Sequence, residues 1–386
     1  MPAEGDPLLA RNCEAHQVKH VSYGLLTLQV PSDNESYSQK ILGYDDEKAG
    51  TFSSLFILTG TCFRNTNNWL MCMCYWICCG MIALRVYSLH LEGNTQLHPF
   101  ENKLTQLALD DLTKYLSALL AFMIGMFVAN MVSRWWSMSS CICQLLSVVH
   151  DLMTRLCVRM KAEDRKYKER MLRLCLLSHA LVYDQARKKR DRDALQYHVD
   201  AGLMSPSELC ALDGKDNKPL VVWSWIACYF HALVAKRKVS DLPAPVLAGF
   251  ENLFGKAASS IQSLFSYTDT QVIFPYVHML TFLVMGVNFL IAAKAGALIG
   301  NCFGPGGQPD LTVVAIETAH VVFVPFIYHS FLTLGLELAN PFGSDIVDFP
   351  AFTTSVKCRD LQLACMDAIE NPPSSVVGDL DNVSSV

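Results

Sequence analysis

"YLSALLAFMIGMFVANMVS", residues 115–133, carries no charged side chain. A bilayer core is crossed by about 20 apolar residues of helix, so this stretch reads as a membrane span. Three more have the same character. "NTNNWLMCMCYWICCGMIAL" (65–84) and "TQVIFPYVHMLTFLVMGVNFLIAA" (270–293) are uncharged, and "TAHVVFVPFIYHSFLTLGL" (318–336) has a lone Glu317 just before it. The spacing predicts four spans, at about 65–86, 112–136, 270–293 and 312–336. They explain why a chain of 386 residues is 51% hydrophobic and only 17% charged. Pro275 and Pro325 fall inside two of the spans and predict kinks, which neighbouring helices tolerate in a membrane.

Within the second span, Ala118, Phe122 and Met126 recur at i, i+4 and i+8, with Ala121 and Gly125 beside them. That periodicity has two readings. The three side chains are packing knobs within one subunit, or they form an apolar stripe facing an axis shared by several copies. In the second case they build a dry, narrow constriction of the kind that gates by dewetting.

Lysine and arginine orient the spans. Nearly two-thirds of the chain's 31 basic residues lie in 137–269, including "RKYKER" (165–170) and "RKKRDR" (187–192). The connection at 89–110 holds only Lys103, and that at 295–310 holds none. The middle segment and both termini are therefore expected on the cytosolic side. Apolar residues at helical spacing in "KYKERMLRLCLLSHALVYDQA" and "FENLFGKAASSIQSLFSY", with a capped start at "SPSELCAL" (205–212), predict a folded helical domain over 137–269. The basic runs read as solvated faces, with attraction of anions or acidic lipid headgroups as the alternative. Residues 1–44 and 371–386 read as largely disordered tails.

The remaining chemistry is sparse. No nucleophile–base set, phosphate loop or metalloprotease helix can be assembled, so an enzyme is not supported, and a net charge of −5 gives no case for nucleic acid. The 15 cysteines follow no zinc spacing and read as small buried hydrophobes. His278, His320 and His329 sit singly and read as satisfied interior groups. The N-terminus lacks the form of a signal or transit peptide, and "EGDPLL" (4–9) has the form of an acidic dileucine sorting signal against a background of tail sequence.

Five short motifs in order resemble the bestrophin family: "RWW" (134–136), "AGLM" (201–204), "PYV" (275–277), "NPFG" (340–343) and "RDLQL" (359–363), preceded by "GTFSSLFILTGTCFRN" (50–65). The resemblance covers a core of about 45–370. It implies an all-α fold of four transmembrane helices plus a cytosolic helical domain, assembling as a homopentamer around a central pore that passes chloride, with bicarbonate as a second permeant anion. The alternative is a non-conducting membrane scaffold or regulatory subunit of the same fold.

Set against the family's second helix, the neck positions fall on Ala118, Phe122 and Met126. The family's cytosolic aperture follows an Asp–Pro pair; here the chain reads "SDLPAPVL" (240–247), and with Pro245 in the proline's place the aperture residue is Val246. The segment after the last span matches a calcium clasp, with side-chain oxygens from Asp345 and Asp348, carbonyls from Glu337 and Asn340, and Asp45 from the N-terminal segment. The other reading of "NPFGSDIVD" is a helix cap and turn with solvated aspartates. Membrane lipid is the other expected partner. The plasma membrane is favoured over an endolysosomal or thylakoid one.

Overall fold

The computed structural model describes residues 18–23, 26–31, 41–44, 62–91, 103–188, 192–240, 242–303, 310–343 and 348–373. They divide between two compact units. One, apolar, comprises Gly50–Trp135 and Gln271–Asn340; the other comprises Met1–Ala49, Trp136–Thr270 and Pro341–Val386. The second unit's middle stretch, Trp136–Thr270, is helical over most of its described residues.

The described helices of the apolar unit are α1 (Thr66–Leu91), the first part of α2 (Lys103–Arg159), α8 (Phe274–Cys302) and α9 (Leu311–Ala339). All four are long and apolar enough to cross a membrane. Their polarity is arranged inside-out. On α1 the outward residues Leu70, Met73, Ile77, Met81 and Leu84 are all exposed, while Asn68, Cys72, Tyr75 and Cys79 are buried. The inward polar groups find partners across helices. Thr333 Oγ1 donates to Asn68 Oδ1 at 2.9 Å, Trp76 Nε1 donates to the Val321 carbonyl at 3.2 Å, and the Tyr75 hydroxyl lies 3.2 Å from His329 Nε2. A helix that is apolar outward and hydrogen-bonded inward suits a hydrocarbon solvent.

α1 and α8 approach closely at Gly296 and Gly300, which have the small-xxx-small spacing that lets membrane helices touch. A Cβ on Gly296 would lie 2.5 Å from the Cys79 carbonyl oxygen, and one on Gly300 would lie 2.7 Å from that of Ala83. Gly335 of α9 is equally constrained, since a Cβ there would run into the Phe127 ring. Pro275 corrects one expectation. It stands in the first turn of α8, where its missing N–H breaks no helical bond, so it opens the helix instead of kinking it; Pro325 does lie within α9.

The second unit is built from the rest of α2 with α3 (Arg165–Ala186), α4 (Arg192–Asp200), α5 (Pro206–Leu212), α6 (Lys218–Ala235), α7 (Ala244–Asp269) and α10 (Ala351–Glu370). α3 is its centre, packed against α6, α7 and α10. α6 is a fifth helix that passes for a span by length and composition, and the sequence reading does not include it. Its apolarity serves packing on α3 and α7, where Val222, Trp223, Ile226, Phe230 and Leu233 are buried.

The capped start at 205–212 forms as expected, with Ser205 and Glu208 closing a reciprocal capping box. Glu208 also takes a forked pair of bonds from the buried Arg173 guanidinium, at 2.9 and 2.8 Å. Burial pushes the Glu208 carboxyl up, but the bonds from Arg173 outweigh it and hold it below its ordinary value. Ahead of the helices, β1 (Val18–Tyr23), β2 (Leu26–Pro31) and β3 (Ile41–Tyr44) form an antiparallel sheet in that order. The sequence reading assigns this stretch to a tail without elements; alternation such as Val18, His20 and Ser22 opposite Lys19, Val21 and Tyr23 is too polar to stand out.

The glycine contacts set the first expectation. A backbone carbonyl cannot move aside as a side chain can, so Gly300→Val should cost about 1–3 kcal/mol or more by overpacking. Gly286→Ala, which meets nothing within 4 Å, should cost little. Thermal melting of the purified protein in detergent measures both.

Candidate functional site

α2 decides between the two readings of the Ala118 stripe. The face that packs against α8 and α9 carries Leu120, Ile124, Phe127 and Met131, which join Leu280, Val284, Val287, Ile291 and Leu332 in one core cluster. Ala118, Phe122 and Met126 lie on the other side of the helix and are exposed within the chain, Phe122 by 65% and Met126 by 48%. They are therefore not packing knobs of their own subunit. Ala121 and Gly125 are exposed as well, and nothing in the chain comes within 4 Å of a Cβ placed on Gly125.

The bulky Phe127 holds the stripe in its rotational position. It is fully buried, fills the space left by Gly335, and lies 6.1 Å from the Tyr276 ring. Tyr276, the centre of the "PYV" motif, donates its hydroxyl to the Met123 carbonyl at 3.1 Å. That brace on α2 escapes a sequence reading, because a tyrosine in an apolar run does not announce which helix it will reach.

In the second unit Val246 occupies the first turn of α7, half-buried, where its N–H bonds the Pro243 carbonyl at 2.8 Å. The basic run at 165–170 is not simply a solvated face. Lys168 is fully buried with its Nζ 2.8 Å from Glu370 Oε1, and Arg165 reaches Glu169, Asp367 and Glu370 at 2.8, 2.5 and 3.2 Å. Two of the run's four cations are thus committed to three carboxylates, Glu169 within the same helix and Asp367 and Glu370 in α10. Of the second run, 189–191 lie outside the described residues.

The five residues matched to a calcium clasp are described unequally. Asp45 and Asp345 lie outside the described residues. In the apolar unit Glu337 closes the last turn of α9 and Asn340 caps it, the Asn340 N–H bonding the Glu337 carbonyl at 3.3 Å. In the second unit Asp348 is only 5% exposed. It is therefore not a solvated turn residue, and burial of a carboxylate demands compensation by bonds, charges or a metal. The groups that the resemblance assigns to the clasp are all oxygens, carboxylates and carbonyls, the kind a hard divalent cation takes. Among the described residues no group of three or more His, Cys, Asp or Glu side chains is arranged to hold a metal.

The other motifs have structural work. "AGLM" is buried throughout, with Gly202 at φ 74° and the Leu203 carbonyl accepting from Arg173 at 2.7 Å. In "RDLQL", Gln362 is buried and its Nε2 lies 3.1 Å from His150 Nδ1. Of the three histidines read as interior, only His329 is buried; His278 is exposed, and His320 lies half-buried 3.7 Å from Glu317. Glu317 is thus not isolated as the sequence implies. The cysteines divide likewise. Cys72, Cys79, Cys141, Cys157, Cys175 and Cys358 are buried as expected, but Cys74, Cys143, Cys210 and Cys228 are exposed.

A comparison of the sequence with protein families matches residues 44–354 to the model described as "Bestrophin, RFP-TM, chloride channel". Curated relatives include Bestrophin homolog 17 of Caenorhabditis elegans, 26% identical over 62% of this chain and 49% of its own length. Human Bestrophin-1 is 27% identical over 68% of this chain and 45% of its own. The chain thus spans about half the length of the curated relatives it matches. Among solved structures, a bacterial bestrophin homologue from Klebsiella pneumoniae superposes with a TM-score of 0.60 at 16% identity, over 77% of this chain and 98% of that one. With several long apolar helices and a family match across most of its length, this chain is an integral membrane protein that belongs to the bestrophin family.

Proposed function

We propose that the chain is the subunit of a homopentameric anion channel that conducts chloride, and bicarbonate as a second anion, passively across a membrane. The observation that carries this reading is the outward face of α2. Phe122, 65% exposed in the single chain, lies in a stripe with Ala118 and Met126 on the side away from the helix's own core. In a spanning helix such a face is covered either by lipid or by another copy, and five copies around an axis would turn these stripes towards one another. The neck is then three rings, with the phenylalanine the narrowest. Val246 lines a second aperture on the cytosolic side, and both termini are cytosolic.

Calcium is the proposed modulator, held by Asp345 and Asp348 with the carbonyls of Glu337 and Asn340 and with Asp45. The support is that every group the resemblance assigns to the clasp is an oxygen donor, as a hard divalent cation takes. The ion supplies positive charge that draws these oxygens together. An ion shifts a channel only by its difference in affinity between states, so the clasp regulates current if its segment is ordered differently when the pore opens. The plasma membrane is the proposed site of action.

Reversal potential under a chloride gradient, recorded from purified protein in a planar bilayer, tests the channel. It should follow the chloride equilibrium potential; cation selectivity, or no current from intact oligomer, would identify a different transporter or a non-conducting scaffold. Phe122→Ala should leave the pore conducting under conditions that close the unmutated channel, because removing the phenyl groups widens the constriction and lowers the cost of wetting. An unchanged open probability would put the gate elsewhere. Replacing Asp345 and Asp348 together by alanine should lower apparent calcium affinity by about tenfold or more, which is about 1.4 kcal/mol per factor of ten.

A further inference from the structure

α2 and α6 end side by side. Met160, just past α2, and Val239, shortly after α6, form an antiparallel bridge, and the Ser240 N–H donates to the Arg159 carbonyl at 2.9 Å. Both bridge side chains are buried, so the residues flanking them turn outward: Arg159 and Lys238 are half-buried, and Lys161 and Ser240 are exposed. Lys236 and Arg237, which close α6, are exposed as well. Five cations therefore stand on two short segments. Lys238 is committed to Asp164, its Nζ 2.8 Å from Oδ1. Lys161, Lys236 and Arg237 form no ion pair among the described residues.

Along the chain the second segment reads "KRKVS" (236–240), a serine with a lysine two before it and an arginine three before it. Positive charge just ahead of an exposed hydroxyl is what a kinase with an acidic substrate cleft reads, by charge complementarity. The Ser240 hydroxyl has no hydrogen-bond partner among the described residues. The bridge is a single residue pair, so the segment opens locally without unfolding the domain. The ordinary role of such cations is to offset the negative ends of the two helices, about half a charge each. Set against those ends and against Glu163 and Asp164, the five cations leave about two positive charges over. A phosphate, at about −1.5 to −2, matches that excess.

We propose that Ser240 is a phosphorylation site for a protein kinase that reads Arg237 and Lys238, and that the phosphate lowers anion flux by cancelling the positive cluster ahead of α7. The Ser240 Oγ bonds the γ-phosphorus of ATP as the bond to the β–γ bridging oxygen breaks; ADP leaves, and the hydroxyl proton passes to the kinase's carboxylate base. Arg159, opposite Ser240, receives the phosphate in a charge-assisted contact that guanidinium geometry suits. α7 begins four residues on, at Ala244, and carries Val246 in its first turn. Positive charge at a pore mouth raises the local anion concentration, over about 8 Å at physiological salt. The effect on flux rests on the reading above, which places this domain in the cytosol with ATP and Val246 at an aperture; the modification itself rests on the exposed serine and its cations.

In the test, purified protein in detergent is incubated with ATP, magnesium and the catalytic subunit of a cyclic-AMP-dependent protein kinase, and its peptides are read by mass spectrometry. Ser240 should gain one phosphoryl group, and Arg237→Gln, at unchanged elution volume, should slow that gain by about tenfold. Arg237→Asn, a residue that tolerates the native φ of 55°, carries the comparison if the glutamine variant does not fold. No phosphate on Ser240, or an equal rate in the folded arginine variant, overturns the site. In planar bilayers the phosphorylated protein should pass about half the chloride current of the untreated one at low salt, the difference fading at high salt as screening grows. Ser240→Ala should not respond to the kinase. Current unchanged by phosphorylation of Ser240, or a fall as large in Ser240→Ala, overturns the effect on flux. If the untreated protein carries no chloride current, the channel reading falls, and the mass spectrum still decides the site.

Discussion

Hydrocarbon offers no hydrogen bonds, and the arrangement of the apolar unit follows from that. Each spanning helix satisfies its own backbone, and the few polar side chains it carries turn inward to one another. Asn68 meets Thr333 and Tyr75 meets His329, while Leu70, Met73, Ile77, Met81 and Leu84 of the same helix face outward. Without a hydrophobic force to press helices together in lipid, contact depends on shape. The carbonyl oxygens of Cys79 and Ala83 occupy the space that side chains on Gly296 and Gly300 would need. Phe127 filling the hollow at Gly335 does the same for α2 and α9.

That packing fixes which side of α2 faces outward. The helix is apolar nearly all round, so the choice cannot come from amphipathicity. It comes from Leu120, Ile124, Phe127 and Met131 fitting α8 and α9 better than Ala118, Phe122 and Met126 do, and from the Tyr276 hydroxyl engaging the Met123 carbonyl. The pore reading thus depends on a brace and on a cluster of close contacts that themselves touch no anion.

In the second unit water is present, and charge takes over the role that shape plays in lipid. Arg173 is almost wholly buried because Glu208 and the Leu203 carbonyl satisfy it, and Lys168 because Glu370 does. Removing one partner of such a pair leaves the other charged in a dry place, which is costly. These pairs join segments far apart in sequence and so register α3 against α5 and α10. Arg187 belongs to the same class of contact, with a carbonyl in place of a carboxylate.

The sequence by itself determined the long apolar helices, the helical character of the middle stretch and the capped start at Ser205, because each rests on neighbouring residues: a run of apolar side chains long enough for a bilayer, a periodicity, a serine three before a glutamate. It also placed Ala118, Phe122 and Met126 on one face, since 3.6 residues per turn is a local rule. Only the tertiary structure decided whether that face is buried, whether "RKYKER" meets solvent or carboxylates near residue 370, and that Asp348 is enclosed. It also turned Pro275 from an expected kink into a helix start and made α6 a packed helix among its neighbours. Burial and pairing are properties of what lies across a helix in space, and the residues that lie across are set by chain contacts tens to hundreds of positions apart, which no local pattern of side chains encodes.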